Sequence, residues 1–218
     1  MNTQYSPAVV DLAMTTPGEV SRMLVPPPTS PRTVFSALYY MVKPDRAAAR
    51  AADALRAEIG ARHGLQGNAV EPDRQHVTLH ELGSHPELPA GLVERALQAG
   101  AAVAAEPFDV EFDRAVGWGA EARLLALAGA ANGLRGLRAL QRSVAAAMIS
   151  AGLGEWVRHG FRPHISLFYG DKTLPSQAIE PIRWTIDELL LVESLDGAGV
   201  HRVLGRWPLL CRQAAFDW

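Results

Sequence analysis

Two short strings in this chain carry the residue types of proton-transfer chemistry: His76-Val77-Thr78-Leu79 and His164-Ile165-Ser166-Leu167. Each runs histidine, apolar residue, hydroxyl residue, leucine. Successive side chains of an extended strand point to opposite faces. His76 and Thr78 therefore share one face, with Val77 and Leu79 turned to a core behind them, and His164 and Ser166 are arranged alike. A histidine titrates near neutrality and can accept or release a proton. Two such strands facing each other would set two imidazoles and two hydroxyls around one small cleft, enough to open a phosphodiester without a metal. One histidine would draw a proton from water and the other would protonate the departing oxygen. Thr78 and Ser166 would donate to the non-bridging phosphoryl oxygens, where charge gathers. The motifs are near-equivalent, so the sequence leaves open which histidine is base and which is acid.

One copy of such a string is ordinary in a half-buried strand. A coincidental pair is expected in about one chain in several hundred. Other residues near the motifs are secondary candidates. On a regular strand His80 would share the face of His76 and Thr78, as a substrate contact or as a solvated strand histidine. A metal pair of His76 and His80 lacks a carboxylate or cysteine cluster to complete it, so no metal and no cofactor are expected. Arg162, just before the second motif, could reach phosphate or sit on the surface. Trp118, in a glycine-flanked turn, could stack on a base or cap the core. His63, His85, His159 and His201 have no motif around them.

The chain has 218 residues, 48% of them hydrophobic, and a net charge of −2. That suits a soluble globular protein and argues against a long non-specific nucleic-acid footprint, though not against a nucleotide or an RNA end. Lys43 and Lys172 are the only lysines, and the remaining basic residues are arginines, whose planar forks suit phosphate. The single cysteine, Cys211, allows no intrachain disulfide. No apolar run approaches transmembrane length, and the N-terminal residues make a poor signal peptide. A cytoplasmic protein with no membrane association and no obligate protein partner is expected.

Residues 1–32 include Pro26-Pro27-Pro28 and show no sustained periodicity, so they read as a flexible proline-rich arm. The domain proper is expected over 33–218. Thr33–Val42 reads as a strand, followed by a helix from Pro44-Asp45 to about Arg62, with Ala51, Leu55 and Ile59 on its apolar face. Residues 65–74 read as a loop, 76–82 as the first motif strand ending at Gly83, and Leu92–Leu97 as a helix. Phe108–Phe112 and Arg123–Leu127 read as a hairpin turning through Gly117-Trp118-Gly119. Asn132 is a candidate N-cap for a helix ending near Gly152. After the second motif strand, Trp184–Val192 and Val200–Pro208 read as two late strands. The pattern is α+β: two similar lobes with antiparallel sheets flanked by helices, and an active-site cleft between them.

With these residues in view, the chain resembles the 2H phosphoesterases, which share the LigT-like fold. They include bacterial RNA 2′,3′-cyclic phosphodiesterases, first described as 2′-5′ RNA ligases, and the plant and yeast cyclic nucleotide phosphodiesterases. Their hallmark is a pair of His-x-Thr/Ser-apolar motifs, matched here by His76/Thr78 and His164/Ser166. The likeness runs from about residue 33 to 209. Phe161–Gly170 is similar to the plant and yeast branch, whereas Arg123–Leu127 and Leu204–Pro208 are similar to the bacterial one. The resemblance implies a two-lobed 2H phosphoesterase domain over 33–218. Its substrate would be a cyclic phosphate on a nucleotide, an RNA end or ADP-ribose. Cleavage or joining of 2′-5′ linkages is an alternative, and a silent nucleotide- or RNA-end-binding module is another. Tyr169 matches a family position lining the substrate site. Strict alternation from His164 would instead turn Tyr169 into the core, unless the strand ends or bulges there.

Overall fold

The computed structural model describes residues 35–119, 123–195 and 200–211. The expected arm, 1–32, lies outside the described residues. From Phe35 onward β1 (Ser36–Val42) leads into α1 (Arg46–His63), β2 (Gly67–Ala69), β3 (Val77–His85) and α2 (Ala90–Ala102). Then come β4 (Phe108–Trp118), β5 (Leu124–Ala128), α3 (Arg135–Ser150), β6 (Ile165–Gly170), β7 (Gln177–Ile186), β8 (Glu188–Leu195) and β9 (Val200–Pro208).

Local chemistry accounts for α1. The Asp45 carboxylate accepts from the Ala48 N–H at 2.7 Å, satisfying one of the donors that a helix start leaves unpaired. Gly64 stops the helix at φ 57°, a left-handed conformation that glycine adopts without a Cβ penalty. Ala48, Ala52 and Ile59 are buried. Ala51, expected inward, is exposed, because the buried stripe follows the 48–52–59 spacing of one helix face.

Antiparallel pairing gives two sheets, ordered β3-β1-β8-β9 and β2-β6-β5-β4-β7. The fold is thus α+β with antiparallel sheets and three helices, as the sequence implied. The two sheets are not consecutive halves of the chain, since β8 and β9 return to the sheet begun by β1. Both motifs lie on strands, one per sheet, but the first does not end at Gly83: β3 continues through it to His85, where Ser84 and His85 still pair with β1.

Several local expectations are corrected. Trp184–Val192 is not one strand. It breaks at Asp187, where the chain leaves the second sheet at β7 and enters the first at β8. The start of β7 was hidden by Pro181 and its charged neighbours; as an edge strand, β7 tolerates the proline. Asn132 does not cap α3. Leu134, buried in the core, occupies the cap position, and no side chain bonds there. The loop expected at 65–74 contains the short β2, paired to β6. Gly117 and Trp118 belong to β4 itself rather than to a turn.

A shared core joins the helices to both sheets, with Leu38, Tyr40, Phe112, Leu137 and Leu167 among its fully buried members. Each large side chain removed from water contributes about 1.5–3 kcal/mol. The Phe112 and Trp184 rings stack with centroids 5.1 Å apart. A second, smaller cluster of Met41, Leu190 and Val192, joined by Tyr39, covers the opposite face of the first sheet. That burial on both faces explains why β8 reads as an unbroken apolar run.

Candidate active site

Thr78 pairs directly with Met41, and directly paired residues share a face. The first motif's hydroxyl therefore stands over the Met41–Leu190–Val192 cluster, while Val77 and Leu79 join the main core. In the second sheet, Ser166 pairs with Ala126, and Ala126 with Val116. One row further along, Tyr169 pairs with Leu124, and Leu124 with Trp118. The two rows place Ser166, Tyr169 and Trp118 on one face.

The histidines stand one residue before their strands and are held in the same way. The Nδ1–H of His76 donates to the Arg74 carbonyl at 2.7 Å, and the Nδ1–H of His164 donates to the Arg162 carbonyl at 2.9 Å. A carbonyl only accepts, so each bond assigns the ring proton to Nδ1 and leaves Nε2 free. Both rings are half-buried, and each lies two residues before a half-buried hydroxyl. The backbone carbonyl two residues earlier is thus a shared orienting device.

The surroundings of the two rings differ. Burial, followed by the charges of Lys43, His164 and Arg74, holds His76 below the usual imidazole range, against the opposing effect of its bond to the Arg74 carbonyl. The charge of His164 thus acts on the titration of His76. His201, from β9, turns its ring edge-on to His76 with centroids 5.3 Å apart. Burial first, then His76, Lys43 and Arg74, push His201 down to about 4, with Asp73 opposing. On the other side, Trp118 packs edge-on against His164, with centroids 5.0 Å apart.

Both motif strands carry a bulge just past the hydroxyl. In β3 the pairing shifts between Tyr40 and Met41, and both Leu79 and His80 become buried. In β6 it shifts between Leu125 and Ala126, and both Leu167 and Phe168 become buried. An extra residue in one strand reverses the alternation beyond it. This corrects the reading of His80 as a face-mate of His76. His80 is 1% exposed and bonds the Gln141 carbonyl of α3 at 3.0 Å through Nε2. The bulge in β6 turns Tyr169 outward, 46% exposed, and its hydroxyl donates to Ser166 Oγ at 3.4 Å.

Trp118 is half-buried beside His164 rather than sealed in the core, and the Arg162 side chain is exposed. Sequence reasoning missed three residues here. His201 had no local signal, because only sheet formation brings β9 near His76. Arg74 did have one, since both motifs read Arg-x-His-apolar-hydroxyl-Leu; its Nε is buried without a partner. Lys43 donates to the Asp73 carbonyl at 2.5 Å, which brings its charge close to His76. Among the described residues, no group of three His, Cys, Asp or Glu side chains clusters as metal ligands, and no helix is long and apolar enough to cross a membrane.

Solved structures with this architecture include E. coli LigT in its apo form, 24% identical, with a TM-score of 0.63 over 82% of this chain and 99% of that one. The structure of E. coli LigT complexed with 3′-AMP gives 24% identity and a TM-score of 0.61 over 81% and 98%. TT0787 of Thermus thermophilus gives 22% and 0.61 over 81% and 100%. These likenesses establish a LigT-like fold. No curated protein matches the chain. The family model of the 2′-5′ RNA ligase superfamily matches residues 43–198, a span that contains both motifs, the whole second sheet, and β3 and β8 of the first. The chain belongs to the 2′-5′ RNA ligase superfamily, whose members are 2H phosphoesterases.

Proposed function

We propose that the protein is a metal-independent phosphodiesterase that opens 2′,3′-cyclic phosphates of nucleotides or RNA ends to a phosphomonoester. The observation that carries this reading is the matched pair of imidazoles. Each has Nδ1–H committed to a carbonyl and Nε2 free beside a hydroxyl. In the neutral ring, free Nε2 accepts a proton from water; in the protonated ring, Nε2–H donates one. Water attacks phosphorus, one histidine takes its proton, and the other protonates the ribose oxygen as the P–O bond breaks. Thr78 and Ser166 donate to the non-bridging oxygens. Tyr169 supports Ser166, Trp118 offers a surface for a base, and Arg162 offers charge to phosphate. This reading keeps the protein in the cytoplasm, with no cofactor. The nucleotide 3′-AMP in the E. coli LigT complex supports a nucleotide ligand.

Cleavage or joining of 2′-5′ linkages is the second reading, favoured by the family's description. It uses the same residues on a longer substrate. The test is turnover of 2′,3′-cyclic nucleotides in EDTA by wild type, His76→Ala and His164→Ala. Each variant is expected to lose about two or more orders of magnitude. Chelator-sensitive activity, or activity that survives both substitutions, would overturn the mechanism. An inert wild type that cuts 2′-5′ oligonucleotides would transfer the site to the second reading. Inertness on both, with binding that survives loss of both histidines, would indicate a binding module.

A further inference from the structure

The two histidines share more than the carbonyl that each one bonds. Three residues before His76, the Asp73 carbonyl accepts from Lys43 Nζ at 2.5 Å. Three residues before His164, the Phe161 carbonyl accepts from Arg138 Nη1 at 3.2 Å. The next carbonyl in each segment, of Arg74 or Arg162, takes the Nδ1–H of the histidine. A cationic side chain from outside the segment is therefore bonded at the same offset in both motifs. The two cations come from different elements: Lys43 follows β1, and Arg138 lies in α3. Neither segment is a long regular element that would fix its own carbonyls. Before His76 the chain makes one 3₁₀ turn, Pro72–Arg74, with no side-chain cap. Its bonds run from the Arg74 N–H to the Glu71 carbonyl at 2.9 Å and from the Gln75 N–H to the Pro72 carbonyl at 3.3 Å. Turns of this kind have poor hydrogen-bond geometry. Before His164, residues 157–164 lie outside helix and strand, and Pro163 has no N–H to give.

We infer that Lys43 and Arg138 are a matched pair of positioning residues, each fixing the segment whose next carbonyl orients a histidine. The inference rests on the phosphodiesterase reading and adds two residues to its machinery. In this role each acts through its imidazole and not on the substrate. Peptide units are planar, so only φ and ψ separate one carbonyl from the next. Holding the carbonyl of Asp73 or Phe161 thus narrows the directions open to that of Arg74 or Arg162. A bond from a cation to a carbonyl is charge-assisted, about twice as strong as a neutral one, which suits it to hold an irregular segment. The consequence falls on the ring nitrogens. While Nδ1–H stays on its carbonyl, Nε2 is the nitrogen that moves a proton. A neutral ring released from the carbonyl can take the other tautomer, which puts hydrogen on Nε2 and removes the acceptor that a general base needs. A protonated ring so released loses its aim at the leaving oxygen.

The test uses the full chain with Lys43→Met and Arg138→Met, which keep a long apolar stem and remove the donor. Lys43→Arg and Arg138→Lys restore a cation at the same place. Nitrogen NMR spectra of the imidazoles at about pH 8, where an ordinary histidine is neutral, separate the Nδ1–H and Nε2–H tautomers ring by ring and do not depend on turnover. Lys43→Met is expected to raise the Nε2–H population of His76 and leave His164 unchanged; Arg138→Met should do the reverse. On adenosine 2′,3′-cyclic phosphate each methionine variant should lose about three- to tenfold in kcat, the worth of one hydrogen bond, with KM within about twofold. Each restoring variant should recover the wild-type tautomer and a kcat within about twofold. Lys43→Gln and Arg138→Gln give the same comparison if a methionine variant does not fold. Rings that keep Nδ1–H in every variant would overturn the inference. A change in both rings together, from either substitution, would also overturn it, because that pattern marks a general loosening of the fold. A wild type inert on the cyclic nucleotide would sink the phosphodiesterase reading, while the tautomer populations still decide the positioning.

Discussion

His201 offers a sharp test of how the site is assembled. Its folded value of about 4 lies well below the roughly 6.5 of an unfolded chain. The unfolded state therefore takes up a proton that the folded state refuses. The stability this group contributes is fully present above about pH 6.5 and is lost as pH falls toward 4. Within that window the loss approaches about 1.4 kcal/mol per pH unit, or about 2 kcal/mol between pH 7 and pH 5. The ring is only part-buried, so screening by solvent reduces this to about 1 kcal/mol. The perturbation is His201→Gln, which cannot titrate, and the assay is urea unfolding followed by tryptophan fluorescence at pH 7 and pH 5. His76 and His80 are also held below their usual range, so both proteins weaken in acid. The difference between them isolates His201. Wild type should lose about 1 kcal/mol more than the variant, read as a larger fall in midpoint of about 0.3–0.5 M urea at constant slope. Parallel losses in the two proteins would refute the packing of His201 against His76 amid the charges of Lys43 and Arg74.

Other expectations follow from the same geometry. Tyr169→Phe removes a weak donor to Ser166 from an exposed side chain, so kcat/KM should fall by about two- to tenfold with the melting temperature unchanged; an unaltered kcat/KM would separate Tyr169 from the site. His80→Leu replaces a buried imidazole whose Nδ1 has no partner. It should leave kcat/KM within about twofold and unfold no earlier at pH 5 than wild type, whereas a large loss of turnover would restore His80 as a substrate contact. Gly117→Ala would set a Cβ 2.2 Å from the Leu174 backbone oxygen. It should cost about 1–3 kcal/mol in urea unfolding and raise KM by shifting the neighbouring Trp118; a neutral result would show that this close approach relaxes freely.

The sequence by itself determined most of the local elements and singled out the candidate pair of histidines. Asp45 and Gly64 bounded α1 because capping and left-handed turns depend on single residue types. The two His-apolar-hydroxyl-Leu strings declared both strands and their buried sides because a pleat alternates with period two. Tertiary structure decided what lies beyond that alternation. A bulge in each motif strand sent His80 inward and Tyr169 outward, and bulges arise from pairing with a neighbouring strand, which no local window contains. Asp187 divided two strands because the chain changes sheets there, a long-range event within an apolar stretch. His201 reached His76 only when β9 joined the sheet that begins with β1. The carbonyls of Arg74 and Arg162 set both imidazoles, and backbone atoms leave no mark in residue type. The proposed chemistry was legible because it needs particular side chains; the geometry around it was not, because backbone pairing between distant segments sets it.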